Sequence, residues 1–69
     1  MSTITTLNVN GMSCSHCEKA VKEALNQIEG VFNTAVNLEE KTVIVQYDDL
    51  LVTEKVLLDA IEDVGYDVV

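Results

Sequence analysis

The chain has no proline and no arginine, and only 4% of its residues are aromatic. Each shortage narrows what it can be. With no arginine, and four lysines against twelve acidic residues, the formal net charge is −8. No basic face is available to neutralise phosphates, which argues against nucleic acid as a partner. The same excess repels an anionic membrane surface. It has two readings: docking to a partner with a basic patch, or a charged surface that keeps a small protein in solution. No apolar run approaches the roughly 20 residues that a membrane-spanning helix needs. The start, Met1-Ser2-Thr3-Ile4, has neither a basic n-region nor an apolar h-region, so no signal peptide is expected and a cytoplasmic location is. With few aromatics in a chain that is 48% hydrophobic, the core must be aliphatic, built from Val, Leu, Ile and Ala. At 69 residues the expectation is a single domain over 1–69, with a thin stability margin.

Period and punctuation then give the elements. Thr3 to Val9 reads as a strand, with Leu7 and Val9 alternating against Thr6, Asn8 and Asn10. Ile4 is out of phase, which predicts fraying at the start. Ser15 with Glu18 three residues later fits a capping box, so a helix is expected from there. Ala20, Val21, Ala24, Leu25 and Ile28 form its apolar stripe, and Gly30 is its expected end. Phe32, Thr34, Val36 and Leu38 share one face of a second strand. Glu39-Glu40-Lys41 connects it to a third, faced by Val43, Val45 and Tyr47, which makes a hairpin. Thr53 is the expected N-cap of a second helix striped by Leu57, Ala60, Ile61 and Val64. Leu58 and Val56 lie off that stripe. Gly65 closes the helix before a last short strand over Tyr66 to Val69. The order βαββαβ predicts an α+β, ferredoxin-like sandwich, a four-stranded antiparallel sheet with both helices on one face.

The chemistry concentrates in Gly11-Met12-Ser13-Cys14-Ser15-His16-Cys17, which holds both cysteines and the sole histidine. Cys14 and Cys17 can close on one metal ion. Unpaired backbone N–H groups at a helix start favour thiolate over thiol. A structural zinc site takes four ligands, and the chain offers at most Cys14, Cys17 and His16. An iron–sulfur cluster takes four cysteines, and there are two. Two soft thiolates suit Cu(I) first, with Ag(I) or Hg(II) as chemical mimics. Such a site is under-coordinated, so an incoming thiolate can take the ion. This describes a carrier without turnover, not an enzyme. The competing class is a dithiol oxidoreductase. Against it, the chain is short for that fold and has no proline to place in cis beside the dithiol.

Four neighbours of the dithiol have two readings each. Met12 is either a soft thioether ligand or, the favoured reading, a plug anchoring the loop in the core. His16 is either a ligand, above all across a dimer, or a solvent-facing side chain that tunes charge, with the second favoured. Ser13 hydrogen-bonds a sulfur or fills the loop. Tyr66 covers the core or shields the metal. Leu50-Leu51 and Leu57-Leu58 are more apolar than their places in this pattern require.

Over essentially its whole length the chain resembles a heavy-metal-associated domain of the bacterial copper-chaperone kind. The match rests on the Gly11–Cys17 signature, Val36-Asn37-Leu38-Glu39, Gln46-Tyr47-Asp48, Asp59-Ala60-Ile61-Glu62-Asp63 and Gly65-Tyr66-Asp67-Val68. The resemblance implies Cu(I) held by Cys14 and Cys17. It implies delivery by ligand exchange to the soluble metal-binding domain of a copper-transporting P-type ATPase. A copper-bridged homodimer is a further implication, with His16 at its interface. Tyr66 matches a tyrosine that bacterial members carry near the site, where eukaryotic chaperones tend to have lysine. The same domain also serves as an N-terminal module of such ATPases, which is the alternative to a separate chaperone.

Overall fold

A computed structural model describes residues 2–12 and 15–69. The elements are β1 (Ser2–Asn10), α1 (Ser15–Asn26), β2 (Val31–Asn37), β3 (Thr42–Asp48), α2 (Glu54–Val64) and β4 (Asp67–Val68). The strands form one sheet in the order β2-β3-β1-β4, and every neighbouring pair is antiparallel. This is the expected ferredoxin-like sandwich. Leu7, Val9, Val43, Val45 and Tyr47 face inward and meet Val21 and Leu25 of α1 and Leu57 and Ile61 of α2 in one core. Both helices therefore cover one sheet face, and Ile4, Thr6 and Ile44 lie exposed on the other. Each fully buried aliphatic side chain contributes about 1.5–3 kcal/mol. In so small a domain, truncating Leu25 to alanine at a cost of about 2–5 kcal/mol removes much of the stability.

The structure differs from the sequence pattern at several positions. From Ser2 onward β1 is paired: Ser2 opposes Asp48 and Ile4 opposes Gln46, so Ile4 is an ordinary outer-face residue. Phe32 does not share a face with Thr34. Val31 pairs with Tyr47 and Asn33 with Gln46, so Phe32 is the extra residue of a β-bulge and its ring turns to solvent. Leu38 lies beyond the end of β2, in the turn to β3, though its side chain still packs against the core. Gly30 does not end the first helix. α1 stops at Asn26, and the chain descends through Ile28 N–H to Leu25 C=O (3.1 Å) and Val31 N–H to Ile28 C=O (3.1 Å). Gly30 is instead a point of close approach. A Cβ there would stand 2.6 Å from Val52 Cγ2 and 3.0 Å from Leu51 Cβ. Its carbonyl accepts the Asp48 N–H at 2.7 Å.

The turn after β3 is built on Asp48. Its carboxylate accepts the Leu50 N–H at 2.9 Å, and its carbonyl accepts those of Leu51 (3.0 Å) and Val52 (2.9 Å). Thr53 then takes the extended backbone of an N-cap, but its hydroxyl makes no capping bond. Its carbonyl receives Val56 N–H at 3.0 Å. At the other end of α2, Gly65 N–H reaches Glu62 C=O (2.9 Å) and Tyr66 N–H reaches Ile61 C=O (3.3 Å), the paired bonds of a Schellman stop.

Two tests follow from this packing. Thr34 is 2% exposed, and its hydroxyl has no hydrogen-bond partner among the described residues. Thr34→Val keeps the shape and removes the stranded polar group, so urea unfolding should show a gain of about 1 kcal/mol. A loss would mean that the hydroxyl is satisfied. The Leu50 N–H chiefly holds the Asp48 carboxyl below its ordinary value of 3.8. A lowered carboxylate stabilises the fold above that ordinary value, and the contribution is lost as pH falls through the folded-state value. The stability gap between the parent protein and Asp48→Asn should therefore shrink below pH 3.8, and a pH-independent gap would contradict it.

Candidate metal centre

β1 ends at Asn10 and α1 starts at Ser15, so the cysteine loop crosses from the sheet to the helical layer in a few residues. The junction of α2 and β4 reaches the same end, because Val68 pairs with Val9 and Asp67 with Asn10. That pairing brings Tyr66 to the loop. Gly11 has φ +99°, and a Cβ on it would stand 3.1 Å from Tyr66 Cδ1 and 3.8 Å from Cε1. The ring thus lies against the loop backbone, in space that only glycine leaves open.

Met12 follows and is 4% exposed, within the aliphatic core. Its thioether points inward and plugs the sandwich beneath the loop. Cys17 lies in the first turn of α1, half-buried, with one side against that core. It is neither sealed in nor fully exposed, which is more contact than a polar surface loop suggests. The first-turn position sets its sulfur near the positive end of the helix dipole. Glu18 is the acidic residue of the same turn, and its charge opposes that effect. His16 is exposed. Ser13 and Cys14 lie outside the described residues, so the ligand role expected of Cys14 and the hydrogen bond expected of Ser13 fall there. The fold thus gathers Gly11, Met12, Cys17 and Tyr66 at one end and leaves His16 facing outward. Among the described residues, no three His, Cys, Asp or Glu side chains gather as a metal-binding group.

The heavy-metal-associated domain model matches residues 6–67. The chain belongs to the heavy-metal-associated domain family. Among its relatives, the copper chaperone CopZ of Staphylococcus aureus (strain bovine RF122 / ET3-1) is 60% identical over 63 residues, covering 91% of this chain and 93% of that protein. A solved CopZ metallochaperone superposes with a TM-score of 0.96 at 57% identity, over 97% of this chain and 100% of that one. The N-terminal domain of a potential copper-translocating P-type ATPase from Bacillus subtilis, solved in its Cu(I)-loaded state, superposes at 0.93 with 32% identity, over 99% and 85%. The glycine admits the tyrosine ring, and the methionine anchors the strand exit below the helix that carries Cys17. No sequence signal marked the contact of Cys17 with the core, because it depends on packing between the helix start and distant segments.

The Gly11–Tyr66 contact is directly testable. Gly11→Ala should cost about 1–3 kcal/mol, from a strained backbone and a displaced ring. Adding Tyr66→Ala should recover the steric part, giving a double-mutant cycle with clear coupling. Strict additivity would show that the ring and the loop are independent.

Proposed function

We propose that this chain is a cytosolic Cu(I) carrier. It takes the ion between the thiolates of Cys14 and Cys17 and passes it to the metal-binding domain of a copper-transporting P-type ATPase. The observation that carries the reading is the position of Cys17. It stands in the first turn of a helix, partly exposed, three residues after a second cysteine, at a loop anchored from below by Met12. Relatives that are named copper chaperones support the cargo. A Cu(I)-loaded ATPase domain of the same fold supports an acceptor built like the donor.

Transfer then needs no redox step. A thiolate of the acceptor forms a bond to the copper ion, raising its coordination. One copper–sulfur bond of this chain breaks, and a second acceptor thiolate replaces the other. The ion stays Cu(I), and each thiolate left behind is free to take a proton from water. Two-sulfur binding keeps the ion open to attack, and the helix start stabilises the departing thiolates. Tyr66 limits access to the ion from its own side, and His16 stays outside the ligand set.

Titration of the reduced protein with Cu(I) against a competing chelator should show one ion per chain. Cys14→Ser or Cys17→Ser should each weaken binding by at least about a hundredfold, roughly 3 kcal/mol. His16→Ala should leave the affinity unchanged. Tyr66→Phe should change the rate of exchange more than the affinity. Retention of tight binding after loss of both thiols would end the proposal.

A further inference from the structure

The excess of leucine near residues 50 and 51 plays no part in the metal centre. β1 ends at the cysteine loop and β3 runs antiparallel to it, so the end of β3, the start of β2 and the start of α2 lie at the opposite pole. Four large apolar side chains stand in solvent there: Leu50 (83% exposed), Leu51 (65%), Phe32 (59%) and Val56 (43%). The backbone that carries them is set by specific contacts. The Asp48 turn fixes Leu50 and Leu51, Leu51 packs over Gly30, and the bulge turns Phe32 outward. Glu29, Asp48, Asp49 and Glu54 adjoin these residues in the chain, with Lys55 next to Glu54. This acidic surplus repels a second copy of this chain, whose net charge is −8, and repels an anionic bilayer. It complements an amphipathic segment with apolar residues on one face and lysine or arginine beside them.

We propose that this pole is a docking site for a basic amphipathic helix of a partner protein. Because it lies away from Gly11–Cys17, the partner is held while the metal loop stays open to an acceptor. The proposal does not depend on copper and is tested on the full chain without metal. The probe is a leucine–lysine helical peptide of about 16 residues, long enough to hold a helix. Its control replaces every lysine with glutamate. NMR titration should shift the amides of Gly30, Phe32, Leu50, Leu51 and Val56 and leave those of Gly11 and Cys17 unmoved. Leu50→Asn with Leu51→Asn, at exposed positions, should weaken binding by about tenfold or more without changing Cu(I) affinity. Several results would each overturn the proposal: shifts centred elsewhere, equal binding of the glutamate peptide, no binding at millimolar peptide, or self-association that the double variant abolishes.

Discussion

The burial of Met12 is the contact on which the working end of this molecule depends. A C-x-x-C pair on a free loop would sample many separations, and the entropy of bringing two thiolates to one ion would weigh against capture. Here the residue two positions before the first cysteine is locked into the aliphatic core. The second cysteine is fixed by the first turn of α1 and touches that same core. The loop is therefore tied at both ends to one rigid body. The flexible thioether suits this task, since it fills an irregular gap between strand exit and helix entry. Tyr66 adds a third tie, and the absence of a side chain at Gly11 makes it possible.

The rest of the sandwich holds those ties in place. β4 is two residues long, yet its pairing with Val9 and Asn10 brings the end of α2 beside the loop. The Schellman bonds at Gly65 stop α2 where Tyr66 can turn back toward Gly11. At the opposite pole the Asp48 turn and the close approach at Gly30 join the two helix–strand connections. The molecule thus has two ends of different character. One presents soft sulfur chemistry beside a tyrosine, and the other presents leucines adjoined in the chain by acidic residues.

Much of this was legible in the sequence, for physical reasons that can be named. The alternation of Leu7 and Val9 and the stripe of Leu57 and Ile61 are single-period signals that tertiary packing had no cause to override. The signature from Gly11 to Cys17 pointed to the family that the match over residues 6–67 shows. What was not legible depends on contacts between distant segments. The bulge that turns Phe32 outward follows from the register of Asn33 against Gln46, and a period-two reading assigns Phe32 to the core face instead. Gly30 looked like a helix stop, and its actual reason, the nearness of Leu51 and Val52, lies in a distant part of the chain. The stranded hydroxyl of Thr34 is visible only once its surroundings are known to be apolar.

In the proposed carrier, sulfur alone holds the ion. X-ray absorption at the copper edge, on the reduced protein loaded with one equivalent of Cu(I), reads the ligand shell most directly. A sulfur-only shell from Cys14 and Cys17 is the expected result. A nitrogen neighbour from His16, or a shell that persists when both cysteines are serine, would contradict it.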